Sequence, residues 1–246
     1  MNILLTNDDG INADGIIALH KALSPIASIT VVAPDSEKSA VGHAITLSDP
    51  LRVKRVGENQ FAVSGTPADC VKLGVRTIMK KKPDMIISGI NLGPNTGYSV
   101  LYSGTVSGAT ESAILGIPSF AISLGTFEKP DYSVAAQFAK KLAKLILKNG
   151  LPKNTLLNVN VPAVKAGKIK GVKITRQSKA AIIEHFEKRV DPRKHVYYWL
   201  TGEVIKLEGE DESDIKALRD GYISIVPLHC DMTDYELMNA LKEWGI

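Results

Sequence analysis

Cysteine is nearly absent from this chain: only Cys70 and Cys230 occur in its 246 residues. Two thiols so far apart, neither with a partner at metal-ligand spacing, exclude a disulfide framework or a cysteine-built zinc site as the basis of the fold. They read as reduced, buried thiols of a cytoplasmic protein. A surplus of charge is lacking too. Thirty Lys and Arg face 26 Asp and Glu, a formal charge of +4, and no basic block stands out. A nucleic-acid polymer is therefore not the implied partner, although a small anion remains open. No apolar run is long enough to span a bilayer, and Met1 to Asp9 has no basic region before its short apolar run, so neither a membrane span nor a signal peptide is expected. Internal repeats and low-complexity linkers are also missing. What remains is ordinary for a globular protein, with 44% hydrophobic and 23% charged residues. A chain of this length makes one large domain or a domain with an elaborated tail.

Apolar runs alternate with helical patterns through the first two-thirds. Ile3 to Leu5, Ser28 to Val32, Met85 to Ser88 and Ser119 to Leu124 read as short buried strands closed by turn residues. Ala68, Val71, Val75 and Ile78 form one apolar helix face after Pro67. Val134, Phe138, Leu142 and Leu145 form another that stops at Gly150, with Pro152 beyond. The alternation predicts an α/β fold, a mostly parallel sheet flanked by helices and joined by right-handed crossovers. The pattern changes near residue 165, which divides a core (1–165) from a C-terminal extension (166–246). In the extension Lys168 to Arg176, His195 to Val204 and Tyr222 to Val226 read as strands. Glu208 to Asp220 reads as a solvated loop or poorly packed helix. Thr233 starts a final helix with Glu236 as its capping-box partner. The extension has few residues for a core of its own, so it is expected to pack on the main sheet or on another subunit.

In open α/β sheets ligands sit outside the carboxyl ends of the strands, and the least expected residues fall there. Asn7-Asp8-Asp9-Gly10 follows the first strand. Adjacent strand residues point to opposite faces, so Asp8 and Asp9 converge only if the chain leaves the strand, which Gly10 permits. Two neighbouring carboxylates stay charged together most easily around a cation; an Asx turn or a helix cap would use the same residues. Ser88 to Gly97 is dense in glycine and asparagine. There Asn91 can offer an oxygen to a hard cation, and the segment could also be a plain loop. Ser103-Gly104-Thr105-Val106-Ser107-Gly108 opens a helix with small hydroxyl residues, which suits phosphate or simple capping. It is no Walker loop, since no Lys follows the glycine. Pro34 to His43 adds Ser39 and His43 as polar candidates.

These four stretches, in this order, resemble the SurE family (survival protein E, 5'/3'-nucleotidases). Ser64 to Cys70, Asn158-Val159-Asn160-Val161-Pro162 and Thr175-Arg176-Gln177 match as well, and the similarity covers nearly the whole chain. The resemblance implies a Rossmann-like domain with one divalent metal per subunit, Mg, Mn or similar, ligated by Asp8, Asp9, Ser39 and Asn91. It implies hydrolysis of nucleoside 5'- and 3'-monophosphates, with short polyphosphate as a further substrate. It also implies a homodimer or homotetramer in which a C-terminal β-hairpin and tail reach a neighbour.

The chemistry expected on this basis is metal-assisted hydrolysis of a phosphomonoester. Asn95, Gly104, Thr105 and Ser107 would hold the phosphate, and Asp8 or Asp9 would accept a proton from water. An aspartyl-phosphate mechanism needs an acid two residues after Asp8, where Gly10 stands. A dinucleotide oxidoreductase needs a glycine fingerprint where Asn-Asp-Asp-Gly stands. A non-catalytic nucleotide sensor is the remaining alternative. In the extension, Tyr197, Tyr198 and Trp199 lie consecutively on one strand, so both of its faces need cover. Tyr198 or Trp199 is therefore expected to be buried against another subunit, rather than inside its own domain.

Overall fold

Five strands in the order of the βα pattern lie at the centre of a nine-stranded sheet in the computed structural model, which describes residues 1–128, 130–180, 182–204 and 211–245. The strands are β1 (Asn2–Thr6), β2 (Ser28–Pro34), β3 (Val53–Gly57), β4 (Gln60–Val63), β5 (Met85–Leu92), β6 (Ser119–Leu124), β7 (Thr155–Val161), β8 (Val172–Ile174), β9 (Ile182–Val190), β10 (Val196–Val204) and β11 (Ile223–His229). The helices are α1 (Asp14–Leu23), α2 (Pro67–Leu73), α3 (Gly104–Ile114), α4 (Ser133–Asn149), α5 (Asp214–Arg219) and α6 (Tyr235–Lys242). The main sheet runs β3-β4-β2-β1-β5-β6-β7-β11-β8, and β9 pairs only with β10. All main-sheet pairs are parallel except β3–β4 and β7–β11. The mostly parallel α/β reading therefore holds.

The central strands are apolar without interruption because both faces are covered. Period-two alternation then sorts their side chains into separate layers. Ile3, Leu5 and Ile87 pack with Ile16 and Leu19 of α1 and Ala139 and Leu142 of α4. Leu4, Val32 and Ile86 pack on the other face with Cys70 and Val71 of α2. Ala121 and Leu156 meet Val106, Ala109 and Ala113 of α3 on that same side. Strand order reverses beside β1, which has β2 on one side and β5 on the other. Their carboxyl ends therefore part and leave a crevice.

Several local expectations need correction. β5 continues to Leu92, past Ser88, with a register shift between Gly89 and Asn91. Asn91 therefore ends a strand instead of sitting in a loop. The helix after Pro67 changes at Gly74 to a π-helical turn, Gly74–Ile78. Leu145 of α4 faces solvent, and the buried stripe runs through Ala135, Ala139, Leu142, Ala143 and Ile146. In the extension the expected Lys168 to Arg176 strand shrinks to Val172–Ile174, which pairs with β11, while Arg176 makes an isolated bridge to Ser213. Of Glu208 to Asp220, residues 208–210 lie outside the described part. The rest forms α5, capped by Ser213, and Asp214 is fully buried, not solvated. Asp234, not Thr233, caps α6, its side chain accepting from Leu237 N at 2.9 Å. No helix among the described residues is long and apolar enough to cross a membrane.

The β9–β10 hairpin has no second layer among the described residues of its own subunit. Phe186, Tyr198 and Leu200 are exposed, Trp199 is 56% exposed, and α6 buries none of its residues. The reading of this strand as one buried inside its own domain is thereby overturned. Tyr197 and Trp199, two apart and so on one face, meet edge to face at 6.5 Å.

Asp69 ties the long connection after β2 to the fold. Its carboxylate accepts from Thr46 N (3.1 Å), Thr46 Oγ1 (2.6 Å) and Thr66 N (2.9 Å), the last closing a capping box on α2. Burial pushes the Asp69 pKa up, but these hydrogen bonds outweigh it and hold the group below its ordinary value. Asp69→Ala should destabilise the protein by about 3–6 kcal/mol, the scale of two charge-assisted hydrogen bonds. A folded-state pKa below the unfolded one stabilises above the ordinary carboxylate range and is lost as pH falls through the folded value. Urea midpoints of wild type and variant should accordingly converge in acid; a constant gap down to the lowest pH would contradict this role.

Candidate active site

At the carboxyl end of β1 the chain leaves the sheet through a turn made by its own side chain. Asn7 Nδ2 donates to Gly10 O at 2.9 Å, and Gly10 takes φ +101°, a conformation that L side chains rarely adopt. The Asx turn considered from sequence does not form: Asn7 closes the turn as a donor, through its amide N–H, and leaves Asp8 and Asp9 for other work. Neither caps α1, whose N-cap is Ala13 with no side-chain hydrogen bond.

Asp8 is 4% exposed, and α3 is aimed at it. A Cβ on Gly104 would come within 2.7 Å of Asp8 Cβ, so only glycine lets the first turn of α3 come this close. Thr105 Oγ1 donates to Asp8 Oδ1 and lies 3.2 Å from Asn91 Oδ1. A hydroxyl carries one hydrogen, so with Asp8 ionised that hydrogen goes to the carboxylate. The Asn91 oxygen then keeps its lone pairs, while the Asn91 amide group donates to Gly93 O at 2.8 Å. Asp9 is less buried and accepts weakly from Leu92 N at 3.4 Å. Lys38 N donates to Asp8 O at 2.8 Å, anchoring the segment that carries Ser39. Ser39 is exposed and donates to Glu37 Oε1 at 2.6 Å.

Burial raises the Asp8 pKa, against the hydrogen bonds from Thr105. Burial and then the charge of Asp8 push Asp9 up to about 6. Among the described residues no salt bridge reaches either carboxylate. The pair thus fits a cation that would replace lost solvation and relieve mutual repulsion. Oxygen donors from carboxylates, an amide and a hydroxyl suit a hard divalent ion. No group of three or more His, Cys, Asp or Glu able to hold a metal occurs among the described residues, so neutral oxygens have to complete such a shell.

The remaining expected residues divide. Asn95 is buried beside this crevice with its backbone fastened on both sides. Its N–H donates to Asn160 Oδ1 (2.8 Å), and its C=O accepts from Asn158 Nδ2 (2.8 Å) and Asn160 Nδ2 (2.9 Å). Asn95 Nδ2 donates one hydrogen to Ser123 Oγ at 2.9 Å, leaving its other hydrogen and Oδ1. Ser103 caps α3, accepting from Val106 N at 3.1 Å, the plain capping use weighed from sequence. Ser107 Oγ gives its hydrogen to Ser103 O at 2.6 Å and lines a cavity of about 750 Å³ with His43, Thr110, Gln177 and His229. His43 is not brought to the carboxylates. It bonds Glu111 of α3 at 3.0 Å, which also pairs with Lys72 at 2.7 Å. Sequence reasoning assigned no role to Asn158, Asn160, Glu111 or Asp214. Asn158 and Asn160, two apart in an apolar strand, were the available signal, because buried amides on one face must have partners.

A family profile of survival protein SurE matches residues 3–184. A protein of Syntrophobacter fumaroxidans called 5'-nucleotidase SurE is 49% identical, with all of both chains covered. One of the same name from Syntrophus aciditrophicus is 53% identical over 98% of this chain and 93% of its own. The crystal structure of the SurE protein from Aquifex aeolicus superposes with a TM-score of 0.90 at 43% identity, covering both chains fully. With paired carboxylates at the β1 end, an Asn at the β5 end and a helix abutting them, all within a match that spans the fold, the chain belongs to the SurE family.

Proposed function

We propose that this chain is a metal-dependent phosphomonoester hydrolase that releases phosphate from nucleoside 5'- and 3'-monophosphates. The observation that carries the reading is the buried Asp8–Asp9 pair at the switch point of the sheet, its carboxylates raised in pKa by burial and repulsion and facing the amide oxygen of Asn91. The name 5'-nucleotidase carried by full-length relatives supports the substrate class. A non-catalytic sensor would not need two repelling carboxylates where an anion must bind, and no observation favours it.

Asp8, Asp9, Ser39 and Asn91 would hold one divalent ion, Mg or Mn in character, per subunit. When bound, that ion supplies Lewis acidity to the phosphoryl oxygens and makes a nearby water easier to deprotonate. Thr105 keeps Asp8 oriented by donating to it. Asn95, Gly104, Thr105 and Ser107 would form the phosphate side: Asn95 through its remaining amide hydrogen, Gly104 and Thr105 through backbone N–H groups at the start of α3, and Ser107 by turning its hydroxyl away from Ser103 O. Water attacks phosphorus and its proton passes to the carboxylate pair; the P–O bond to the nucleoside breaks, its electron pair leaves on the nucleoside oxygen, and that oxygen takes up a proton to give the free hydroxyl. Residues 1–165 act as the catalytic core and 166–246 as the extension, and the two free thiols suit a cytoplasmic setting.

Asp8→Asn and Asp9→Asn should each lower phosphate release from AMP by at least about 100-fold, the scale for removing one preorganised electrostatic group. Circular dichroism should stay unchanged, and near wild-type turnover in either variant at limiting metal would sink the assignment.

A pH experiment separates the role of Asp9 from that of other carboxylates. Its folded-state pKa, about 6, lies above the ordinary 3.8, so the folded chain binds this proton more tightly than the unfolded one. Stability from this group is present below 3.8 and is lost as pH rises through about 6. Without metal, Asp9→Asn should melt a few degrees above wild type at neutral pH and converge with it in acid. Excess Mg²⁺ or Mn²⁺ should reverse the ranking, because only wild type keeps both charged ligands. A metal-free variant that melts lower at neutral pH would contradict the charge conflict.

The uncovered β9–β10 hairpin and α6 support assembly into a homodimer or homotetramer, with Tyr198 or Trp199 in the interface. Sedimentation at low micromolar concentration should show a dimer or larger, and Trp199→Glu should shift it to smaller species. A stable, active wild-type monomer would refute it.

A further inference from the structure

Gly97 lies two residues beyond Asn95, and residues from the far end of the chain hold both of its backbone polar groups. Its N–H donates to Asp214 Oδ2 at 3.0 Å, and its C=O accepts from Gln177 Nε2 at 2.8 Å. Asp214 is fully buried, and its other oxygen accepts from Ser178 N at 3.0 Å and Ile215 N at 2.8 Å. Gln177 and Asp214 are 37 positions apart in sequence (214 − 177), yet they belong to one rigid bridge. Arg176 N donates to Glu212 O, and Asp214 N donates to Arg176 O, each at 3.0 Å. The bridge is in turn fixed to the main sheet, because Thr175 N donates to Ile225 O at 2.9 Å and Thr175 Oγ1 shares a hydrogen bond with Ser224 Oγ at 2.7 Å.

The segment clamped in this way has chemistry on both sides. Upstream is Asn95, whose backbone is held by Asn158 and Asn160 of β7. Downstream, the single 3₁₀ turn Gly97–Leu101 leads to Ser103 and Gly104, where α3 begins against Asp8. The metal-side residues have their main anchors outside the clamp, and only Thr105, at the start of α3, links Asp8 to the clamped side. Asp8 and Asp9 are set by the Asn7–Gly10 turn, and Asn91 by its own bond to Gly93. Displacing Gly97 should therefore disturb the side facing the phosphate and spare the cation side.

The geometry points to Asp214 and Gln177 as positioning residues of the active site: they clamp Gly97 and so hold Asn95 and the start of α3 in register for the phosphoryl group. This rests on the reading that Asn95 and α3 meet the phosphate. It also makes the segments around 175–178 and 212–215 part of the catalytic apparatus as well as of the extension.

The test uses the full-length protein with Gln177→Leu, Asp214→Asn and, as a control on the underlying reading, Asn95→Ala. Gln177→Leu removes one donor at a partly exposed position, so it should fold even if Asp214→Asn does not. Three quantities are measured: KM and kcat for AMP, the inhibition constant of inorganic phosphate, and the Mn²⁺ dissociation constant by calorimetry. Both clamp variants should raise KM and the phosphate inhibition constant about 10- to 100-fold, the range for residues that support a site from behind. Mn²⁺ affinity should stay at the wild-type value, a split that a general loss of folded protein would not produce. Unchanged KM and phosphate inhibition in Gln177→Leu, alongside a clear rise in Asn95→Ala, would overturn the clamp and leave the phosphate side intact. An equal loss of Mn²⁺ affinity in Gln177→Leu would also overturn it. No effect in Asn95→Ala would show instead that the phosphate side was misassigned.

Discussion

Two carboxylates on adjacent residues, both withdrawn from water, set the terms for everything around them. Burial raises the proton affinity of both, and Asp8 adds to that of Asp9, so the crevice is a place of electrostatic conflict. The surroundings contain that conflict without cancelling it. The first turn of α3 meets Asp8, Thr105 gives it a hydrogen, and no cationic side chain is brought in among the described residues. Charge left uncompensated in this way favours a hard cation and, through it, a phosphate. An Arg or Lys in the same spot would have stabilised the apo fold at the expense of that function.

The topology of the sheet explains why the conflict can be sustained. β1 and β5 are buried on both faces and pair in parallel, so their carboxyl ends are fixed by apolar runs in which Thr6 and Ser88 are the buried hydroxyls. The reversal of strand order beside β1 opens the crevice at that end. Strain and unpaired charge can then be confined to a few residues, since the layers below supply stability independently. Asp69 and Glu111 work at the margin of this arrangement. Asp69 is a buried acid held by hydrogen bonds and Glu111 one held by His43 and the Lys72 ion pair, and each fixes the long connection after β2 that carries Ser39, Asp69 through Thr46 and Glu111 through His43.

The extension is two things at once. β8 and β11 complete the main sheet, and the bridge through Asp214 and Gln177 reaches back to Gly97. β9, β10 and α6, by contrast, carry apolar and aromatic surface that the described residues of their own subunit leave exposed. A single stretch of chain thus links the side that meets substrate to the surface suited to a second copy. Those exposed aromatics are the surface that the proposed assembly would cover.

Much of this was legible in the sequence, for reasons that are local. Continuous apolar runs such as Ser119 to Leu124 can only be buried strands, and Gly150 followed by Pro152 can only stop a helix. Asn-Asp-Asp-Gly after a strand announced a turn bearing two charges, although not whether they would cap a helix or share a cation. What the sequence could not decide was distance across the fold. The extension of β5 to Leu92, which makes Asn91 a strand-end residue beside Thr105, depends on pairing with β6. The burial of Asp214 depends on backbone N–H groups of Gly97 and Ser178, the former 117 positions away, so an acidic stretch that read as solvated holds a fully buried carboxylate. Composition and periodicity report how each segment prefers to meet water. Which polar group satisfies which other is settled only when the sheet brings remote segments within hydrogen-bonding distance.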